Sequence, residues 1–202
     1  MLYLSGAVRG DLLGVKDTSD NIEEFYTKEF LLNSGLDIVG LTSKLNRSFG
    51  DEYFIYEYNG DTLRVRYTGK DDHAKPVLRA TIAGKKITDL RETFSHRNFT
   101  SIDMSLMDLS NVKNLSYLFS ECSCLKHINF GGVDTSSVTD FSGMFCRCSN
   151  IEELDLSGID MSNAIFTDSM FYACYELQYI KFGKEIKHSI RNASSMFSRC
   201  DK

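Results

Sequence analysis

Six cysteines, Cys122, Cys124, Cys146, Cys148, Cys174 and Cys200, all lie in the second half of this 202-residue chain. Two C-x-C pairs invite a soft-metal site, because thiolates are the ligands zinc prefers. The spacing points elsewhere: Cys122, Cys148, Cys174 and Cys200 stand 26 residues apart, one per repeating unit. Buried thiols in such a column behave as small apolar side chains, so no metal is expected. Asp17, Asp20 and Asn21 echo a calcium loop, but the glycine and glutamate that such a loop needs do not follow, and a plain turn is expected. Asp71, Asp72 and His73 sit in a charged connection and read as solvated surface. The four histidines, at 73, 96, 127 and 188, are scattered and accompany no nucleophile motif. There is no P-loop and no G-x-G-x-x-G. Neither a catalytic residue nor a cofactor is expected.

What positions the cysteines is a repeat. Phe94, Phe119, Phe145, Phe171 and Phe197 recur at spacings of 25, 26, 26 and 26. Within each unit, L-x-x-L-x-L segments (Leu125, Ile128, Phe130; Ile151, Leu154, Leu156; Leu177, Ile180, Phe182) carry the strand signature of a leucine-rich repeat. Ahead of each, apolar residues spaced by three and four, such as Val138, Phe141, Met144 and Phe145, predict a short helix or 3₁₀ segment on the outer side. Asn111, Ser137 and Ser189 are its expected N-caps. One unit cannot bury its apolar face alone, so stacked neighbours make the core. Residues 87–111 form a divergent first copy, with Phe99, Ile102 and Met104 at the strand positions, and 190–202 form half a unit.

The stretch V-T-D-F-S-G-M-F-C-R-C-S-N-I-E-E-L-D-L-S-G-I-D-M-S at 138–162 resembles the BspA-type leucine-rich repeat of bacterial proteins, and the resemblance covers about 87–202. It implies a binding or adhesion role, since such proteins are usually found at the cell surface, and it implies no catalytic residues.

Residues 1–86 show no repeat. Strand-like runs fall at 11–17, 22–26 and 36–41, and a short helix is expected at 27–35, opened by Thr27 and closed by Gly35. The clearest hairpin joins 53–58 to 61–67 across Asn59-Gly60, a pair that favours a type I′ turn. A last strand is expected over 77–82. The expected fold class is therefore α+β: a small β-rich N-terminal domain (1–86) with one helix, capping a leucine-rich-repeat solenoid (87–202) of short strands and short helices.

Candidate surfaces follow from the repeat. The intervening residues of L-x-x-L-x-L point off the sheet and stack in columns: Thr100, Lys126, Glu152, Gln178; Ser101, His127, Glu153, Tyr179; Asp103, Asn129, Asp155, Lys181. Glu152, Glu153 and Asp155 form an acidic patch suited to a basic partner, with Tyr179 beside it as an aromatic anchor. The partner-binding set is Lys126, His127, Asn129, Glu152, Glu153, Asp155, Gln178, Tyr179 and Lys181 on an expected concave face. On the hairpin, one face is core (Phe54, Tyr56, Leu63, Val65), and the other (Tyr53, Ile55, Arg64, Arg66) mixes aromatics with arginine. Tyr53, Arg64 and Arg66 make a secondary surface of the kind that stacks nucleic-acid bases. The C-terminal stretch is locally basic (Lys181, Lys184, Lys187, Arg191, Arg199, Lys202), and its half-unit offers apolar surface for self-association.

Composition bounds these readings. Residues are 42% hydrophobic and 12% aromatic, and 23 basic residues against 28 acidic ones leave a net charge of -5. That balance does not advertise nucleic acid as the main partner. No secretion signal or membrane span is read in the sequence, so a cytoplasmic location is expected, or the cell surface for a fragment of a longer protein. The leading expectation is a non-enzymatic protein-binding regulator or inhibitor, in its concrete form a phage- or mobile-element-encoded antagonist of a host defence complex. The alternatives are an adhesion module of a bacterial surface protein, or nucleic-acid binding through the hairpin and the C-terminal basic residues.

Overall fold

A computed structural model of the protein describes residues 49–50, 53–59, 62–69, 73–82, 85–183 and 190–202. Its strands, in chain order, are β1 (Phe49–Gly50), β2 (Phe54–Asn59), β3 (Thr62–Tyr67), β4 (His73–Ala74), β5 (Thr81–Ile82), β6 (Lys85–Lys86), β7 (Ser101–Asp103), β8 (His127–Asn129), β9 (Glu153–Leu156) and β10 (Tyr179–Phe182). None of the described residues lies in a helix. The α+β class is therefore overturned: the described chain is built of short strands and turns, coiled into a leucine-rich-repeat-like solenoid. The helix expected at 27–35, and the runs at 11–17, 22–26 and 36–41, lie outside the described residues. Among the described residues no helix is long and apolar enough to cross a membrane.

Each coil of about 26 residues has a strand side and a turn side. On the strand side, β4 pairs in parallel with β7, and β7 with β8, in the registers His73 with Ser101 and Ser101 with His127. β9 pairs with β10, Glu153 opposite Tyr179. Among the described residues the ladder thus begins at His73. The strand expected over 77–82 shrinks to β5, paired antiparallel with β6, and a single bridge from Leu78 to Met107.

The turn side is where helices were expected, and the backbone there does something different. Tyr117, Glu121, Gly143, Arg147, Ser169 and Ala173 all have positive φ between 54° and 62°, which no α-helix contains. Alternate amides bond in two directions. Ser120 N–H donates to Tyr117 C=O within its own coil, while Tyr117 N–H donates to Ser142 C=O of the next coil. The same alternation recurs at Gly143 to Asp168 and Ser169 to Ser194. A helix would satisfy its amides internally; here half of them tie successive coils together. The three-and-four apolar spacing was real, but it records which residues point inward around a turn-wound arc. Asn111 and Ser137 accordingly cap no helix, and Ser189 lies outside the described residues.

Corners are made by Asx turns. Asp103, Asn129 and Asp155 each accept the N–H two residues on, from Ser105, Gly131 and Ser157, at 2.8–3.0 Å. Asn114, Asp134, Asp140, Asp160 and Asn192 do the same for a serine two residues later. The short side chain of Asx reproduces a backbone turn at little entropic cost, so the recurring D-x-S triplets are the corner code of this coil.

Inside, the five phenylalanines form one stack. Successive ring centroids, from Phe94 to Phe197, lie 5.4, 5.7, 5.7 and 5.2 Å apart with planes within 13° of parallel, inside the range of favourable offset stacking. Beside it runs the cysteine column. The thiols of Cys122, Cys148, Cys174 and Cys200 each donate to the carbonyl of the phenylalanine one coil back, at 3.0–3.1 Å. Cysteine suits the position as a small hydrophobe that also carries a weak donor. Burial pushes the Cys122 and Cys174 thiols up to about 12 and Cys148 well above its usual value. Since the thiolate is the nucleophile, iodoacetamide at mildly alkaline pH is expected to label the half-exposed Cys124 first. Cys122, Cys148 and Cys174 should stay unmodified until denaturant is added. Peptide mass spectrometry after timed labelling checks this.

The hairpin closes one end of the stack. Phe54, Tyr56, Leu63, Val65 and Tyr67 are buried, as the alternation predicts, and the Tyr67 and Phe54 rings pack 5.0 and 6.1 Å from Phe94. Tyr67 N–H donates to Thr93 C=O, and the Thr93 hydroxyl donates to Val65 C=O. Asn59 pairs with Thr62 and so belongs to β2; residues 60 and 61 lie outside the described set.

Candidate functional site

Alternation along the strands turns Ile102, Leu154 and Leu156 into the core and leaves their neighbours on the surface. Lys126, His127, Asn129, Glu152, Glu153, Asp155, Gln178, Tyr179 and Lys181 are all exposed. The structure brings them onto one face, and Tyr179, at 58% exposure, stands out from it. A groove of about 570 Å³ runs there, walled by Lys126, His127, Glu152, Glu153, Asp155, Tyr179 and Lys181 and floored by Ile128 and Leu154. Asn129 and Gln178 lie outside the groove wall. Asn150, which sequence reasoning missed, completes the wall; it sits in the corner just ahead of L-x-x-L, where the strand pattern has no say.

Charge on this face is partly neutralised from within. Lys181 Nζ lies 2.9 Å from Asp155 Oδ2, and Lys75 Nζ 2.8 Å from Asp103 Oδ2. Asn129 Nδ2 donates to Asp103 Oδ1 at 3.0 Å. Glu152 and Glu153 have no ion-pair partner among the described residues, so the free negative charge of the face concentrates there. The Ser157 hydrogen bonds and then Lys181 lower Asp155 to about 2, and Lys75 with Ser105 lowers Asp103 to about 2. A depressed folded-state pKa contributes stability that is complete above the ordinary value of 3.8 and is lost as pH falls through about 2. Asp155→Asn is therefore expected to lower the melting temperature near neutral pH, with the difference from the unmodified chain vanishing as acid approaches about pH 2. Thermal melts across that window test it. Asp155 is solvent-exposed, so the effect is small.

On the secondary surface Tyr53 is half-buried and packs edge-on to Phe54 at 6.5 Å, while Arg64 pairs with Glu92 at 3.4 Å and Arg66 with Glu57 at 2.7 Å. The two arginines also line a second groove of about 560 Å³ on the turn side, with Arg91, Arg97, Arg147, Tyr117 and Tyr172. Arg91, Arg97 and Arg147 were not singled out from sequence, because the groove's arginines come from the hairpin and two different coils. Arg91 and Arg147 are themselves matched to Asp89 and Glu121, so the groove carries little unbalanced charge. His73 makes a 2.7 Å hydrogen bond with Ser101 Oγ, and Asp71 and Asp72 lie outside the described residues. Among the described residues no cluster of three or more His, Cys, Asp or Glu side chains is placed to hold a metal ion.

Two solved structures are similar to this chain. One is a leucine-rich repeat protein from Bacteroides capillosus, 14% identical, covering 68% of this chain and 99% of that one with a TM-score of 0.46. The other is the leucine-rich repeat protein of T. pallidum, 14% identical, covering 67% and 82% with a TM-score of 0.35. No curated protein matches the chain significantly. A family model does, over residues 88–202, which span the Phe and Cys columns and the strand face alike. The chain belongs to the family described as Mycoplasma protein of unknown function, DUF285.

Proposed function

We propose that this chain is a non-enzymatic protein-binding module that engages its partner through the strand face, as a regulator or inhibitor acts, by occupying the partner rather than by chemistry. The observation that carries this is the groove walled by Glu152, Glu153 and Tyr179: two uncompensated carboxylates beside a largely exposed aromatic ring, over an apolar floor. Such a surface suits a partner that presents basic side chains, with Tyr179 supplying area at low entropic cost. The resemblance of residues 138–162 to the BspA-type repeat supports a binding role in the same way.

The test is a pull-down from native host lysate with the chain as bait, repeated with Glu152→Lys and Glu153→Lys together. The double reversal is expected to weaken partner recovery about tenfold or more, since like charges facing across an interface cost several kcal/mol, while the melting temperature stays close to that of the unmodified chain. Undiminished recovery of the same partner would falsify the assignment of this face. Membrane association and nucleic-acid binding are no part of the proposal.

A further inference from the structure

The strand face neutralises its own carboxylates at two places and leaves them open at a third. Asp103 is held by Lys75 and Asp155 by Lys181, whereas Glu152 and Glu153 have no ion pair among the described residues. Lys126 stands one repeat before Glu152 and likewise makes no ion pair among them. A second irregularity lies beneath these charges. Ile102 and Leu154, inward-facing at the same strand position of the flanking coils, are 2% and 3% exposed. Ile128, between them, is only half-buried and forms part of the groove floor. β8 and β9 belong to different sheets, so the outer face is open above Ile128 at that junction. The opening is narrow. On the turn side the two coils remain bonded, from Tyr117 to Ser142 and from Phe119 to Met144, at 2.8–2.9 Å, which holds their backbones at a single coil spacing. A further strand cannot enter there, but a side chain can reach the floor from outside.

We propose that this groove is a receptor for a single arginine side chain of the protein partner. This rests on the reading that the strand face binds protein, and adds which residue anchors the partner there. The floor of Ile128 and Leu154 takes the aliphatic stem, as long cationic side chains lay their methylenes along apolar surface. The head then meets Glu152 and Glu153. Glu153 is directly opposite Tyr179 in the β9–β10 ladder, and neighbouring strands stand about 4.8 Å apart. A free carboxylate and a largely exposed ring therefore flank one point. A guanidinium serves both at once, because its fork donates to the carboxylate while its plane stacks on the ring. A lysine ammonium is a compact, strongly hydrated point charge and cannot. Lys126 on the opposite wall repels a cation, so the stem lies toward β8 and the head toward β10. A wholly apolar occupant would strip water from two carboxylates and give them no partner, which is costly.

The probe is a blocked pentapeptide, acetyl-Gly-Gly-Arg-Gly-Gly-amide, used beside versions with lysine or citrulline in place of arginine. Citrulline keeps the shape of arginine without its charge. Each is titrated at low ionic strength into the full chain, isotope-labelled at its isoleucine methyls and backbone amides, and followed by NMR. The arginine peptide is expected to shift the Ile128 methyl and the Glu153 and Tyr179 amides saturably, with a Kd of about 1 mM. The lysine peptide should bind about threefold to fivefold more weakly, and the citrulline peptide at least about tenfold more weakly. Tyr179→Leu should remove most of the preference for arginine over lysine, and Glu153→Gln should weaken both cationic peptides about fivefold. The peptide comparisons use the unmodified chain, so they decide the matter even if a variant is unstable. Equal arginine and lysine affinities would overturn the proposal, since the groove would then read charge alone. Shifts that grow without saturating would do so too, as would an Ile128 methyl that stays still while the amides move, because the stem would then lie outside the groove. If the arginine peptide fails while Glu152→Lys with Glu153→Lys still abolishes capture of the native partner, the arginine site falls and the strand-face reading stands. If the peptide binds as described and the charge reversal leaves native capture intact, the strand-face reading falls and the arginine site stands for another ligand.

Discussion

Phe145→Ala is expected to destabilise the chain by about 3–5 kcal/mol, as large-to-small changes of a buried aromatic do. Phe145 is wholly buried and sits in mid-stack, its ring 5.7 Å from both Phe119 and Phe171 and edge-on to Phe130 at 6.4 Å. Removing it opens a cavity that its neighbours cannot fill, because the rungs from Phe119 N–H to Met144 C=O and from Phe145 N–H to Met170 C=O hold the coils at fixed separation. A solenoid's stability is a sum of coil and interface contributions, so losing the middle interface separates the two ends. Phe197→Ala is the internal control. That ring is 50% exposed and, among the described residues, stacks on Phe171 alone, so its loss should cost only about 1 kcal/mol. Urea unfolding followed by circular dichroism measures both. Equal shifts of the midpoint would show that the stack is not what holds the coils together.

The second large effect is at Gly143. Its φ is +59°, and a Cβ there would stand 2.4 Å from Cε1 of the Tyr117 ring. Tyr117 lies one coil back at the equivalent position and has positive φ itself, so the bulky ring and the missing side chain form a matched pair. Gly143→Val combines a left-handed backbone forbidden to a β-branched residue, about 1–2 kcal/mol, with displacement of the ring. A total of about 2–4 kcal/mol is expected. Tyr117→Ala in the same chain should recover the steric part and leave the backbone part. A double-mutant cycle in urea separates them, and strictly additive losses would mean that the ring and the glycine are not coupled.

Positive φ also explains where sequence reading stopped. The strand pattern and the phenylalanine and cysteine periods were legible because a solenoid makes near-identical demands once per coil, and inward-pointing residues must be apolar in every one. Leu125, Leu154 and Leu177 declare themselves in this way. On the turn side the same apolar spacing fits a helix equally well, since an α-helical face and a turn-wound arc both bring residues three and four apart to one side. Periodicity reports which side chains face inward and is silent on where the amides bond. The D-x-S triplets are the usable signal: Asx followed by serine two residues later marks a corner, whereas apolar spacing alone suggests a short helix or 3₁₀ segment capped by Asn111, Ser137 and Ser189.

The sequence by itself determined the coil length, the core columns, the core face of the hairpin and the exposed side chains of each strand. Those follow from alternation and burial, which are local and repeat. Only the tertiary structure decided that the turn side carries bonds between coils, because that depends on the next coil being in place. It also drew Arg91 and Arg97 of one coil and Arg147 of another to Arg64 and Arg66. The packing of the coils set, too, which neighbours in a column are bonded: His127 and Glu153 stand one repeat apart as Glu153 and Tyr179 do, yet the second pair is a ladder rung and the first is not. No period distinguishes those junctions, since whether two strands close depends on how the coils pack between them.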